Sequence, residues 1–72
     1  MREIKVHPSI ETLRGLELRR QEKCVFLANV LMRANVSMVN YQSWMRGDLK
    51  PNTAALRRIK NALYELEEAM GL

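Results

Sequence analysis

The segment from residue 35 to residue 47, with the sequence NVSMVNYQSWMRG, constrains the fold of this chain more than any other. Ser37 is a residue type that caps helix N-termini, and Gly47 is the type that most often ends a helix. Tyr41 and Trp44 lie between Ser37 and Gly47 and are three positions apart, so they share one face of a helix. The pattern predicts a short helix that buries its two aromatic rings and leaves its other face free.

A second predicted helix precedes this segment. Apolar side chains recur there at helical spacing, at Cys24, Leu27, Ala28, Leu31 and Ala34. Further apolar residues beside this stripe make the helix strongly hydrophobic, so we expect it to be the central and most buried one. Cys24, the single cysteine of the chain, is expected to be a small buried hydrophobe within it.

The N-terminal part of the chain is predicted to contain an extended arm and a first helix. Residues 1–8 alternate apolar and polar side chains, which indicates an arm or a short strand. Ser9 is suited to cap the helix that follows. The polar stretch over residues 18–23 favours a helix break near Arg20–Gln21, with one continuous helix over residues 9–34 as the alternative.

The last predicted helix spans about residues 53–70, with Gly71 as its end. Pro51 disfavours helix at the residue before it, and Asn52 or Thr53 is suited to cap the helix. Its apolar residues alternate spacings of three and four, at Leu56, Ile59, Leu63, Leu66 and Met70. This narrow seam fits docking on the core, and its distal end also fits a contact with a second copy. Together the patterns predict an all-α fold of four to five short helices.

The charge of the chain is compatible with a polyanionic partner. Its 72 residues include 12 basic and 8 acidic side chains, and all 12 basic residues fall within the first 60 positions. A basic body of this kind favours binding to a polyanion, although a solvated surface without a partner explains the charge equally well. The acidic residues Glu65, Glu67 and Glu68 near the end of the chain are expected to be solvated.

Composition argues against several other classes of protein. A single cysteine excludes an intramolecular disulfide framework, and a single histidine, His7, excludes a histidine-based metal cluster or catalytic triad within the chain. No uncharged apolar run approaches the ~20 residues that span a bilayer, and the N-terminus lacks the apolar stretch of a signal peptide. We therefore expect a cytoplasmic, non-enzymatic protein with no cofactor, metal, membrane or small-molecule ligand.

From residue 35 onward the chain resembles the phage repressor/Cro-type, or lambda-repressor-like, helix-turn-helix family. The family pattern is a Gly-Val-Ser-like turn, a recognition helix with two buried anchors, a glycine, a proline a few residues later and an amphipathic helix. The segments NVSMVNYQSWMRG, KPNT and LRRIKNAL carry this pattern here, and with the preceding helix it covers more than half of the chain. Asn35 departs from the usual glycine of the turn, and Leu31 stands where the family favours alanine. The resemblance implies a single domain over residues 1–72, with the helix-turn-helix at about residues 22–47.

The resemblance also implies that the free face of the short helix enters the major groove of double-stranded DNA. The residues expected to contact bases are Met38, Val39, Gln42, Ser43 and Arg46. Glutamine suits adenine, arginine suits guanine or a phosphate, and apolar side chains suit the methyl group of thymine. The residues expected to contact the sugar-phosphate backbone are Ser37, Asn40, Lys50, Asn52 and Arg57. The alternatives are a core or dimer role for Met38 and Val39, and an ordinary solvated face for Gln42 and Ser43.

Taken together, these expectations predict a small dimeric repressor of phage or mobile-element origin, which regulates transcription by occluding a promoter. A homodimer would read two half-sites of a palindromic operator, about 34 Å apart. Its dimer surface is expected either at the end of the last helix or in the arm at Ile4 and Val6. The alternative is a protein-interaction module on a helix-turn-helix scaffold, such as an antitoxin, an anti-defence factor or an adaptor.

Overall fold

A computed structural model describes residues 8–71, with side chains from residue 12 onward, and these residues form four helices. They are α1 (Pro8–Glu22), α2 (Leu27–Ala34), α3 (Met38–Arg46) and α4 (Thr53–Ala69). The predicted all-α class is confirmed, and residues 9–34 form two helices instead of one. The predicted arm lies outside the described residues except for Pro8, which begins α1. Ser9 is therefore inside the helix that it was expected to cap.

The connection between α1 and α2 lies at residues 23–26, slightly beyond the break predicted at Arg20–Gln21. Near the end of α1, Arg20 pairs with Glu17 one turn earlier, with Nε and Oε1 2.9 Å apart. Arg20 Nη1 also donates to the carbonyl of Val25 at 2.8 Å, so one side chain fastens both the helix end and the connection. Polar residues therefore end α1 through specific contacts, which a lack of apolar periodicity does not reveal.

Cys24 is not the buried helical residue that its neighbours suggested. It is exposed, lies between α1 and α2, and adopts the left-handed conformation with a φ of 58°. The next residue, Val25, is buried, and its N–H donates to the carbonyl of Arg20 at 3.1 Å. This pattern closes a helix by turning the chain at the left-handed residue and burying the one after it. Val25 therefore takes the core position that was predicted for Cys24.

The second helix is short and is buried along one side only, and the expectation that it is the central helix is wrong. Its buried residues, Val30, Leu31 and Ala34, form one stripe that packs on α4. Met32 lies on the opposite side and is 77% exposed, while Phe26, just before the helix, is 74% exposed. Ala28 is also exposed. Eight residues make about two turns, so only a narrow stripe of α2 can reach the core.

The centre of the fold is α4, which packs against both α1 and α2. Asn52 caps its N-terminus, as one of the two predicted caps, and accepts a hydrogen bond from the N–H of Ala55 at 2.6 Å. The predicted seam docks on the core as far as the half-buried Leu66, and Met70 is 51% exposed. The core cluster draws on all four helices and the α1–α2 connection: Leu13, Leu16, Val25, Val30, Leu31, Ala34, Tyr41, Trp44, Ala55, Leu56, Ile59, Ala62 and Leu63.

One of the three terminal acids is buried, contrary to expectation. Glu67 is 7% exposed, and Arg19 of α1 donates to both of its carboxylate oxygens, at 2.8 Å and 3.0 Å. The guanidinium also lies over the ring of Tyr64, 4.9 Å from its centroid. The two hydrogen bonds from Arg19 lower the pKa of Glu67, so it remains charged inside the fold. The other two acids of this group are exposed, and Glu65 pairs with Arg33 at 2.7 Å.

None of the helices described over residues 8–71 has the length and hydrophobicity that crossing a bilayer requires.

Candidate nucleic-acid interface

A three-residue turn, residues 35–37, joins α2 to α3. Asn35 adopts the predicted left-handed conformation, with a φ of 59°. The N–H of Val36 donates to the carbonyl of Leu31 at 2.9 Å, and the Val36 side chain packs partly buried against the core. The same closing pattern as at the end of α1 thus ends α2. Because the turn is short and anchored, the direction in which α3 leaves it is fixed.

The ends of α3 are those that the sequence predicts. The hydroxyl oxygen of Ser37 accepts a hydrogen bond from the N–H of Asn40 at 3.1 Å, which caps the first turn. Gly47 has a φ of 87°, and its N–H donates to the carbonyl of Trp44 at 3.1 Å. The amides of the first two helical residues have no partner within the helix and add partial positive charge at this end.

The two faces of α3 differ sharply in burial. Tyr41 and Trp44 are 5% and 8% exposed, which confirms them as core anchors. On the other side, Val39 is 72% exposed and Met38 is 40% exposed, so neither is a core residue. The remaining predicted base-contacting residues lie on that side too: Gln42 and Arg46 are exposed and Ser43 is half-buried. The five candidates therefore form one accessible stripe along the helix.

A polar network holds the buried face of α3. The hydroxyl of Tyr41 donates to the carboxylate of Glu17 in α1. Glu17 also accepts from Arg20 at 2.9 Å and from Gln21 at 2.8 Å. The hydrogen bonds from Arg20 in particular lower the pKa of Glu17 to about 2, against the opposing effect of burial. Burial, and then the contact with Glu17, raises the pKa of Tyr41, so its hydroxyl remains a donor.

Sequence reasoning did not predict the role of Glu17. Its spacing from Arg20 and Gln21, at three and four residues, matches helical side-chain pairs and was visible in the chain. Its contact with Tyr41, 24 positions away, depends on how α3 crosses α1 and has no local signal.

Arg46, at the end of the exposed stripe, contacts the side chains of Asp48 and Ser43. Its Nε lies 2.9 Å from Oδ2 of Asp48, and its Nη2 lies 3.4 Å from the hydroxyl oxygen of Ser43. The side chains of Arg46 and Asp48 are each 61% exposed, so the pair stands in solvent. Asp48 was not among the predicted site residues, although its place two positions after Arg46 was visible in the sequence.

The predicted backbone-contacting residues lie before, within and after α3 in the chain, and all of them are on the surface. Ser37 and Asn40 lie at the start of α3, and Lys50, Asn52 and Arg57 lie in or after the α3–α4 connection, all of them exposed. Asn52 uses its side-chain oxygen for the cap, which leaves its amide nitrogen as a donor for a phosphate.

Several arginines outside this set are already paired. Among residues 12–71, ion pairs to carboxylates engage Arg19, Arg20, Arg33 and Arg46. Arg58 instead donates through Nε to the carbonyl of Ala34 at 3.0 Å, and so fastens α4 to the end of α2. Much of the positive charge seen in the sequence is therefore balanced locally or used to hold helices together.

Comparisons of this chain with protein-family models, with curated proteins and with solved structures found no match.

Proposed function

We propose that this chain is a sequence-specific DNA-binding regulator of transcription, in which α2, the turn at residues 35–37 and α3 act as a helix-turn-helix. The observation that carries the proposal is the two-faced burial of α3. Two aromatic anchors are buried, while the opposite stripe is accessible from its first turn to its last. A helix that presents side chains to the major groove needs this arrangement, because its inner face must be fixed while its outer face stays free.

The chemistry of the stripe suits base edges. Gln42 can donate to and accept from adenine in two parallel hydrogen bonds, and Arg46 can donate to guanine or to a phosphate. Val39 and Met38 offer apolar contacts for the methyl group of thymine. The helix contains no acidic residue, so its own side chains do not repel the phosphates that line the groove.

The residues predicted to contact the sugar-phosphate backbone have side chains that suit phosphates. At the start of α3, Ser37 and Asn40 offer polar side chains beside the positive end of the helix dipole. Beyond its end, Lys50 and Arg57 are exposed cations, and Asn52 retains its amide donors. Such contacts set the register of the protein on the duplex but carry no sequence information. The accessible side chains therefore include some that suit bases and others that suit phosphates, and both kinds support the proposal.

One module of this size covers only a few base pairs, because such an interface buries about 600–1,000 Å². We therefore propose a homodimer that binds a palindromic operator with half-sites about 34 Å apart. The proposed role is a cytoplasmic repressor of phage or mobile-element type, which regulates transcription by occupying a promoter.

Selection of binding sites from random double-stranded DNA tests the proposal. We expect a palindromic consensus whose half-site centres are separated by about one helical turn or a multiple of it. Recovery of sequences without any consensus, at a salt concentration near 150 mM, would contradict sequence-specific binding. Measuring the mass of the complex on the selected duplex checks the dimer separately.

Two single substitutions separate base contacts from phosphate contacts. Gln42→Ala should weaken binding to the selected site about tenfold and leave binding to unrelated duplexes unchanged, because it removes a base-specific pair. Lys50→Ala should weaken binding to all duplexes alike and reduce the slope of log affinity against log salt by about one. If both variants bind every duplex as the parent does, α3 is not the recognition helix.

A second candidate function is favoured by exposed apolar side chains. Phe26, Met32 and Val39 are 74%, 77% and 72% exposed, and Met38, next to Val39 on α3, is 40% exposed. Exposed apolar side chains that lie side by side are typical of protein-binding surfaces. The helix-turn-helix would then be the scaffold of an antitoxin, an anti-defence factor or an adaptor. A gel shift with bulk genomic DNA at two salt concentrations distinguishes the two functions. Retardation that weakens with salt favours the regulator, and no retardation at low salt favours the interaction module.

A further inference from the structure

We infer that Asp48 is a specificity-determining residue of the proposed interface, which orients Arg46 to read a guanine base instead of a phosphate. The inference rests on the proposed function and names the base that one position of the stripe recognises. It is carried by the contact between Arg46 Nε and Asp48 Oδ2, 2.9 Å apart, at the exposed end of α3.

The first argument is the set of donors that the pair leaves free. A guanidinium has five N–H groups in a rigid plane. Asp48 occupies the one on Nε, and the hydroxyl of Ser43 lies within reach of one on Nη2. The remaining N–H groups include donors on both Nη1 and Nη2. Two such parallel donors match the O6 and N7 acceptors of guanine in the major groove.

The second argument is charge. A phosphate attracts a cation mainly through its net charge, and a carboxylate at 2.9 Å balances that charge on Arg46. Asp48 would also repel a phosphate brought close to the pair. A guanine edge carries no net charge and binds through directed hydrogen bonds, which the balanced pair still offers. The carboxylate therefore disfavours the phosphate and leaves the base as the matching partner.

The third argument is the position of Asp48 itself. It follows the C-terminal end of α3, where the helix dipole disfavours a negative side chain. Its side chain is 61% exposed, so burial does not require it either. Helix closure uses only its backbone, through the N–H that donates to the carbonyl of Ser43 at 2.9 Å. The side chain is thus dispensable for the helix, and its described contact is with Arg46.

The test uses duplexes carrying the selected site, in which each guanine in turn is replaced by 7-deazaguanine, which lacks the N7 acceptor. The parent protein should lose affinity about tenfold at one of these guanines. Arg46→Ala should be insensitive to the replacement at that guanine. Asp48→Ala should show a loss of about threefold or less there, while binding random duplex DNA as well as the parent or better. Asp48→Asn keeps an oxygen acceptor, so its loss of affinity at that guanine should lie between that of the parent and that of Asp48→Ala.

Glu65→Ala is the matched control. Glu65 is also an exposed acid paired with an arginine, at 2.7 Å from Arg33, so its removal changes the net charge equally. We expect it to strengthen binding to all duplexes and to keep the tenfold preference of the parent. Equal discrimination by Asp48→Ala and Glu65→Ala would overturn the role of Asp48, and so would a uniform loss across all duplexes in Arg46→Ala. Failure of the parent to select any sequence would overturn the proposed function itself, and this inference with it.

Discussion

The hydroxyl of Tyr41 donates a hydrogen bond to the carboxylate of Glu17, and this contact joins α3 to α1 across 24 positions of the chain. The same carboxylate accepts from Arg20, which in turn holds the carbonyl of Val25. One acidic side chain therefore links α1, the α1–α2 connection and α3. The pose of the proposed recognition helix depends on this polar contact as well as on the packing of its aromatic rings.

Tyr41→Phe tests the contact with little change in shape. The ring stays in the core, where Tyr41 is 5% exposed, but Glu17 loses a donor. A hydrogen bond to a charged group contributes about 1.5–3 kcal/mol, so the free energy of unfolding should fall by that amount in urea denaturation. Tyr64→Phe is the control, because Tyr64 is 44% exposed and its ring contact with Arg19 is retained. Equal stability of the two variants would show that the Tyr41 hydroxyl does not stabilise the fold.

The lowered pKa of Glu17 predicts a specific loss of stability in acid. Its pKa falls from an ordinary value of 4.5 to about 2 in the folded protein. A carboxylate with a lower pKa in the folded state stabilises the fold above the unfolded value, and this stabilisation disappears as the pH falls from about 4.5 to 2. The side chain is 15% exposed, so after allowance for solvent screening we expect on the order of 1–2 kcal/mol.

Urea denaturation at several pH values between 2 and 6 measures this loss. Glu17→Gln should be less stable than the parent at pH 6 and should show a flatter dependence on pH, because its side chain does not titrate. Glu65→Gln removes a carboxylate that is 56% exposed in its pair with Arg33, and should retain the slope of the parent. A parent and a Glu17→Gln variant with parallel pH profiles would contradict the assignment to Glu17.

Cys24 occupies a backbone conformation that suits glycine better. Its φ of 58° is left-handed, a region that is unfavourable for residues with a β-carbon. The side chain is exposed, so its removal leaves no cavity. Cys24→Gly should therefore raise the free energy of unfolding by about 0.5–1 kcal/mol under reducing conditions. Cys24→Ala keeps the unfavourable φ and should show no gain, and a gain of the same size in both variants would rule out backbone strain as its cause.

The ends of the helices show what local sequence can and cannot predict. Asn35 and Gly47 tolerate the left-handed conformation, and the ends of α2 and α3 were predicted from them. Cys24 does the same at the end of α1, but its residue type gives no such indication, so it was assigned to a helix that begins only at Leu27. A pattern of apolar residues then placed it in the core, where Val25 is found instead.

The candidate site divides in the same way. The faces of α3 followed from the spacing of Tyr41 and Trp44, because helical geometry fixes which side chains oppose them. The burial of Glu67 did not follow, since it depends on Arg19, which is 48 positions away and reaches it only after α1 packs on α4. Long-range pairs of charged residues have no periodicity in the sequence. The sequence therefore predicted a solvent-exposed Glu67.

Two adjacent arginines of α4 have different surroundings. Arg58 donates through Nε to the carbonyl of Ala34 at 3.0 Å, a contact that joins α4 to the last residue of α2. Ala34 accordingly has a partner for a carbonyl that the helix end leaves open. Arg57, one position earlier, is exposed and belongs to the proposed phosphate-contacting set.

Alanine substitution should therefore lower the stability of the fold at Arg58 and the affinity for DNA at Arg57. Arg58→Ala leaves the Ala34 carbonyl without its charged donor, so the free energy of unfolding should fall by about 1–2 kcal/mol in urea denaturation. Arg57→Ala should have the same free energy of unfolding as the parent. Under the proposed function it should bind all duplexes more weakly, and the slope of log affinity against log salt should fall by about one. The two variants lose the same charge, so net charge cannot explain a difference in stability between them. Equal stability would mean that the Arg58 contact does not hold the end of α2, whereas unchanged DNA binding by Arg57→Ala would remove Arg57 from the interface.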